Sequence, residues 1–348
     1  MSSPHDNRPP QGRPFQSQAA HAKGGHSQGG QKGGQFRNKG LAINGWLVLD
    51  KIQGMTSTQA VGMGKRLFQA KKTGHAGTLD PLATGILPMA FGEATKTVPY
   101  VVGGAKAYRF TVRWGEERDT DDAEGQVTQT SAERPARRAI EQATHAFIGE
   151  ILQTPPQFSA IKIDGERAYD LARDGEHVEL QARPVTIDRL VLTEMPDAHT
   201  SVFEAECGKG TYVRAIARDM GRMLGCLGHV IQLRRTRVGP FDESQAVTVA
   251  QLHALADAAT APEGPNPEGL AALRALLQPV EAALGDMPGI AINGSDAARL
   301  KRGQSVLLLG RDAPVFTGPA YALCRGQLIA IGEVGQGEFI PARVFNYG

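Results

Sequence analysis

The stretch Lys72-Thr73-Gly74-His75-Ala76-Gly77-Thr78-Leu79-Asp80-Pro81-Leu82-Ala83-Thr84-Gly85 concentrates residue types suited to chemistry. Gly74, Gly77 and Gly85 allow a tight backbone path or the close approach of a ligand. Pro81 biases Asp80 away from the helical region, which puts its carboxylate on an extended or turning loop. The apolar run Ile86–Phe91 that follows reads as a buried strand able to anchor that loop. A carboxylate on a glycine-flanked loop braced by a strand is a plausible place for a catalytic group. A single Asp in such a turn more often only accepts from nearby backbone N–H groups. Residue types alone therefore leave a structural role for Asp80 open.

The elements that must position this loop are legible in outline. Leu41 to Asp50 reads as a strand. Thr56 or Ser57 caps a helix over Gln59–Phe68, with Ala60, Val61, Gly64, Leu67 and Phe68 facing inward. Ala107–Trp114 alternates, with Tyr108, Phe110, Val112 and Trp114 on one face and Arg109, Thr111 and Arg113 on the other. Pro135 to Ile148 reads as a helix, and Val185–Leu192 and Ser201–Cys207 as strands. A second amphipathic helix starts near Thr211 with Val213, Ile216, Ala217, Met220 and Leu224 as its buried stripe. Strands and helices mix without a regular βαβ beat, which implies an α+β fold with a mixed, largely antiparallel sheet. Ala258–Gly269 reads as a Pro/Gly-rich loop. Beyond Pro288, short apolar pieces separated by glycines suggest a small β-rich module.

Composition narrows the class without naming a function. The 348 residues, 41% hydrophobic and 21% charged, are those of an ordinary globular protein with ample core. No apolar run reaches the ~18 residues of a membrane span, and no secretory pattern opens the chain. Three scattered cysteines, Cys207, Cys226 and Cys324, fit a reducing cytoplasm and argue against structural zinc. Residues 1–40 are Gly/Gln/Ser-rich and carry six basic residues against Asp6 alone. We expect this tail to be disordered. It holds +5 of a net charge of +2, which leaves the body at −3. Any RNA contact by the body must then come from a localised basic patch.

Two charged clusters invite other readings. Asp119, Asp121, Asp122 and Glu124 crowd four carboxylates into seven residues, as a divalent-ion loop or a nuclease would. They lack EF-hand spacing and the terminal Glu, so they read as a turn after the Tyr108 strand. Arg234, Arg235 and Arg237 fit a solvated edge strand and phosphate contact about equally.

The segment Gly74–Lys96 resembles the central motif of the TruB-type tRNA pseudouridine synthases, whose G-x-L-D-P core carries the essential Asp. Leu47–Met55, Ala107-Tyr108-Arg109, Lys209-Gly210-Thr211-Tyr212-Val213-Arg214 and His229–Arg235 resemble that family's other motifs in order, so the likeness spans roughly Leu41 to Val249. It implies a catalytic domain over residues 41–287 and a PUA-like RNA-binding module over 288–348. Asp80 would be the catalytic carboxylate and Arg214 its ion-pair partner. Tyr108 would stack on the target base, with Tyr212 and Leu233 lining the same pocket. His75 would fill the gap left in the RNA by the flipped nucleotide, and Lys51 and Lys96 would lie at or near the cleft.

The implied activity is isomerisation of uridine 55 in the T loop of tRNA, without metal or other cofactor, by a cytoplasmic monomer needing no protein partner or membrane. That chemistry demands an extruded nucleotide, which costs a few kcal/mol and is partly offset by aromatic stacking of roughly 1–3 kcal/mol. The rivals are a tRNA-binding or tRNA-folding protein without catalysis, a guide-RNA-directed synthase of the dyskerin type and, remotely, a metal-dependent nuclease.

Overall fold

The computed structural model describes residues 40–159, 162–163, 166–167, 180–259, 266–308 and 315–347. The expectation for the N-terminal tail lies outside these, Gly40 excepted. One mixed sheet organises most of the described chain. Its first strands are β1 (Gly45–Lys51), β2 (Thr73–His75), β3 (Thr84–Phe91) and β4 (Lys106–Trp114). A side hairpin, β5 (Glu116–Arg118) and β6 (Val127–Thr130), precedes β7 (Gly149–Gln153). The short pair β8 (Lys162–Ile163) and β9 (Glu166–Arg167) stands apart from the sheet. The large sheet continues with β10 (Arg183–Asp197), β11 (Thr200–Cys207), β12 (Gly228–Val238), β13 (Phe241–Asp242) and β14 (Val247–Thr248).

The strand order is β14-β1-β3-β12-β4-β11-β10-β7, with β2 beside β3 and β13 beside β12. Only β1–β14 and β12–β3 pair in parallel; the other pairings are antiparallel. The expected α+β class with a mixed, largely antiparallel sheet is what the chain forms. Among the described residues, no helix is long and apolar enough to cross a membrane.

β1 and β3 explain why their sequences are apolar on both faces. Leu47 and Leu49 of β1, with Leu87, Met89 and Phe91 of β3, join one core beneath the helices. Trp46 and Val48, with Ile86 and Ala90, point the other way into a second core. Strands covered on both sides lose the polar half of the two-residue period. The first core receives α1 (Ser57–Leu67) through Ala60 and Met63. It also takes α3 (Arg137–Thr144), which follows α2 (Val98–Gly103), through Ile140, and α4 (Val213–Met223) through Val213, Ile216, Ala217 and Met220. Both buried tryptophans keep their indole N–H satisfied: Trp46 donates to Thr97 Oγ1 at 3.1 Å and Trp114 to Ser201 Oγ at 2.9 Å.

Three local expectations are corrected. The first strand begins at Gly45, because Leu41 instead bridges to Ala70. In α1, Met63 is buried where Val61 and Leu67 are only half-buried. The segment read as a loop from Ala258 is flanked by two packed helices, α5 (Val249–Ala259) and α6 (Pro267–Ala275), with residues 260–265 outside the described set. Gly269 lies within α6 because an added Cβ would run into the Ala259 backbone. It is a helix-contact glycine.

The C-terminal part forms a five-stranded sheet in the order β15 (Gly289–Ala291), β17 (Gly318–Cys324), β18 (Gln327–Gly335), β19 (Glu338–Val344), β16 (Val306–Leu307), with α7 (Gly294–Lys301) against it. Leu328, Ile331 and Phe345 of this part share the second core with Trp46 and Ile86.

Gly85 pairs with Arg235 where β3 runs beside β12. Its φ is +94°, and a Cβ there would collide with the carbonyl oxygen of Arg235. Gly85→Ala should therefore lower the urea midpoint with an unchanged m-value, a loss of roughly 1–3 kcal/mol from backbone strain alone. Equilibrium unfolding followed by circular dichroism reads this directly.

Candidate active site

Asp80 sits on the loop between β2 and β3, and donors from three directions fix that loop. The Ser57 hydroxyl, at the start of α1, donates to Leu79 O at 3.1 Å and accepts from Leu79 N at 2.9 Å. It is thus free of the capping duty, which Thr56 performs with Gln59. Arg235 of β12 donates to Gly77 O at 3.0 Å, Thr78 O at 3.3 Å and Ile86 O at 2.8 Å. Lys51 at the end of β1 donates to Ile52 O, Met55 O and, at 3.4 Å, Pro81 O, where Gly54 N also donates. Asp80 O accepts from Ala83 N. Every carbonyl from Gly77 to Pro81 has a donor, so the loop holds one shape.

The Asp80 carboxylate, 37% exposed, meets Arg214 through Oδ2 to Nη2 at 3.0 Å. Arg214 projects from the first turn of α4 and is buried, contrary to the solvated position its helix pattern allowed. Its other contacts are Thr120 O at 2.7 Å, Phe158 O at 2.9 Å and the buried Asp122 carboxylate at 3.4 Å. The acidic turn after β5 is therefore a brace for the helix that carries Arg214. One turn on, Arg218 pairs with Asp121 at 2.8 Å and donates to Thr154 O. One turn further, Arg222 grips both oxygens of Glu117. Arginines at i, i+4 and i+8 share one helix face and set its rotation. With Asp122 already in place, the guanidinium is aimed before any substrate arrives.

A cavity of about 280 Å³ opens above this pair. Asp80, Tyr108, Tyr212, Arg214 and Leu233 all line it, so the structure brings five of the expected residues together. Tyr108 ends the inward face of β4, where Phe110 and Val112 stay in the core while its own ring reaches the cavity. Burial pushes the Tyr108 phenol above its usual pKa, with the adjacent Arg235 guanidinium pulling the other way. Tyr212 precedes α4, its backbone clamped by Gln153, which accepts from Tyr212 N at 2.8 Å and donates to its carbonyl at 3.2 Å.

Lys106, Lys209 and Arg235 also line the wall. With Arg214 they make four cationic side chains on the cavity lining, a local basic patch on a body of net negative charge. Within it, Lys106 donates to Val102 O and Gly104 O, both at 2.6 Å.

The remaining expected residues fall elsewhere. Lys51 lies beneath the loop, and its burial lowers its pKa to about 8, partly offset by the Asp80 charge. His75 ends β2 half-buried, outside the cavity lining, its imidazole pushed below the ordinary pKa by burial. Lys96 is a correction. It ion-pairs with Glu93 at 2.6 Å, donates to Val344 O at 2.9 Å and lies over the Phe345 ring, at the seam with the C-terminal sheet. Those contacts hold its ammonium away from the cavity.

The basic cluster of β12 is also not a solvated edge, because β12 lies between β3 and β4. Arg234 pairs with Asp50 and Glu243, Arg237 with Glu206, and Arg235 is 2% exposed beneath the loop. Arg235 and Asp122 are the site residues that sequence reasoning missed. Nothing local to β12 singles out Arg235, whose burial follows from the pairing of that strand with β3.

Comparison with known proteins gives concordant matches. Residues 65–213 match the N-terminal domain of the TruB family of pseudouridylate synthases, and residues 214–285 match the C-terminal domain of tRNA pseudouridylate synthase B. The chain is 61% identical over 316 residues to the tRNA pseudouridine synthase B of Bradyrhizobium diazoefficiens, covering 91% of this chain and 90% of that one. With the enzyme of the same name from Agrobacterium fabrum it shares 57% identity over 311 residues, covering 88% and 96%. Among solved structures, a Cbf5-Nop10-Gar1 complex aligns with a TM-score of 0.67 at 25% identity, over 88% of this chain and 85% of that one.

Lys51 generates a test of its own. Its folded pKa of about 8 lies below the ordinary 10.5, so between these values the unfolded chain binds the extra proton. The stability Lys51 contributes is full above pH 10.5 and is lost as pH falls through 8. Wild type should therefore gain on Lys51→Met as pH rises from 8 to 10, measured as the difference in urea unfolding free energy.

Proposed function

The chain belongs to the TruB family of pseudouridylate synthases, and on that premise we propose that it converts uridine 55 of the tRNA T loop to pseudouridine with Asp80 as the catalytic carboxylate. The observation that carries this reading is the Asp80–Arg214 ion pair opening onto a tyrosine-lined cavity large enough for one nucleoside. The reaction breaks the bond from N1 to C1′ and forms one from C5 to C1′. C5 loses a proton and N1 gains one, so atoms and electrons balance within the nucleotide.

Asp80 in its ionised form acts on the sugar or the base. Arg214 holds the carboxylate in place and keeps its charge compensated while the uracil is detached. Tyr108 and Leu233 give the base an aromatic and an aliphatic wall, and stacking offsets part of the cost of extrusion. Tyr212 closes the same space. Lys106 and Lys209 supply positive charge toward the phosphates of the bound strand. His75, outside the cavity, is retained as the side chain that fills the gap in the RNA. The tail of residues 1–40 and a C-terminal RNA-binding module over 288–348 belong to the same reading, as does a monomer acting without partner proteins in the cytoplasm.

The likeness to Cbf5 favours a second reading, a guide-RNA-directed enzyme. The 61% identity to a tRNA pseudouridine synthase B over nearly the whole chain weighs against it.

The purified chain should modify a bare T-arm hairpin in the presence of EDTA, at the single expected uridine, as mapped by carbodiimide labelling. Asp80→Asn should bind the hairpin within a few-fold of wild type and make no product. Turnover by that variant would remove Asp80 from the mechanism, and wild-type dependence on added guide RNA would favour the second reading.

A further inference from the structure

The segment from Gln153 to Ser159 is tied to α4 and to the residue before it. The Gln153 side chain clamps the Tyr212 backbone, Thr154 O accepts from Arg218 at 2.7 Å, and Phe158 O accepts from Arg214 at 2.9 Å. Ser159, next in the chain, is 3% exposed and lines the cavity together with Asp80, Tyr108 and Tyr212. Its hydroxyl is buried and, among the described residues, has no hydrogen-bond partner of good geometry. The Tyr212 phenol approaches it without satisfying it. A buried hydroxyl left unpaired carries the full cost of its desolvation. Such a group on a firmly anchored segment is explained if a ligand completes it.

Resting on the reaction proposed above, we propose that the Ser159 hydroxyl is a substrate-recognition group that donates to a carbonyl oxygen on the N3 edge of the flipped uracil. The cavity's chemistry divides accordingly. Its cations suit phosphate oxygens, its aromatic and aliphatic walls suit the faces of the ring, and a neutral hydroxyl such as that of Ser159, which lines the cavity with Thr78 and Thr211, suits a neutral carbonyl.

The geometry of the reaction strengthens the assignment. To present C5 in place of N1, uracil turns half a revolution about the line through N3 and C6. That turn exchanges O2 with O4. A donor beside the N3 edge therefore faces a carbonyl oxygen both before and after the turn, and the rotatable hydroxyl of serine adjusts to either. Recognition is then kept while N1 and C5 exchange places.

The test is a chemical double-mutant cycle on the full-length chain. Wild type, Ser159→Ala and Ser159→Thr are assayed on T-arm hairpins with uridine, 2-thiouridine or 4-thiouridine at the target, because sulfur is a poor hydrogen-bond acceptor. On uridine, Ser159→Ala should lose roughly tenfold in kcat/KM, the scale of one hydrogen bond, while Ser159→Thr stays within about threefold of wild type. Both thio substitutions should slow wild type and slow Ser159→Ala markedly less.

An undiminished rate for Ser159→Ala would overturn the inference. A deficit equal on all three hairpins would also overturn it, since that is what a merely structural serine gives. Should Ser159→Ala fail to fold by circular dichroism, Ser159→Cys, a weak donor of similar shape, carries the same comparison. Absence of product from wild type on the uridine hairpin would instead sink the reaction itself, and this inference with it.

Discussion

The site depends on the need to satisfy five consecutive backbone carbonyls, Gly77 to Pro81, on a loop that must also leave a carboxylate open to a ligand. A loop of that kind cannot borrow regularity from a helix or a ladder, so most of its hydrogen bonds come from side chains. Ser57, Arg235 and Lys51 reach four of the five carbonyls, each from a different element of the sheet or its covering helices, and Asp80 O accepts from Ala83 N. Two of the three are cations buried with carbonyl oxygens as their hydrogen-bond acceptors. The loop is thus held by charge-assisted bonds, stronger than neutral ones, and Asp80 is left to pair with a group from elsewhere.

That group arrives on α4, whose position is set by electrostatics as much as by packing. The stripe of Val213, Ile216, Ala217 and Met220 seats the helix on the sheet. Apolar contacts alone would tolerate a small rotation or slide. The three arginines pairing with Asp122, Asp121 and Glu117 remove that freedom. Buried ion pairs contribute little net stability because desolvation offsets attraction; here their product is the aim of one guanidinium. The join between the two matched family segments, after residue 213, falls immediately before it. Aspartate and arginine thus belong to separate segments, and only the folded sheet unites them.

Much of this was legible in the sequence, for identifiable reasons. The α4 stripe and the β4 alternation follow from periodicity, and they held because one face of each element is apolar. The loop around Asp80 announced itself through glycine and proline. What escaped were features that depend on pairing between distant segments. Arg235 read as surface because β12 was taken for a possible edge, whereas its parallel pairing with β3 joins residues about 150 apart, which local alternation cannot reveal. Asp122 read as part of a turn because its partner lies 92 residues further on. Gly269 read as a loop breaker because a glycine that lets two helices touch looks the same in one dimension. Lys96, assigned to the cleft by likeness, was drawn instead to a terminal carbonyl near the end of the chain.

The seam where Lys96 sits gives the molecule a thermodynamic character of its own. Trp46, Val48 and Ile86 back the strands whose other face carries the helices, and they are covered in part by Leu328, Ile331 and Phe345. Removing the last strands would strip apolar surface from β1 and β3, which support the Asp80 loop from Lys51 and Thr84 onward, and would free Glu93 and Lys96 from their backbone partners at Val344 and Asn346. The far end of the polypeptide therefore acts as a keystone for the near end. Melting of the terminal sheet would uncover the rear face of the strands on which the Asp80 loop rests, which links the stability of that sheet to the order of the loop.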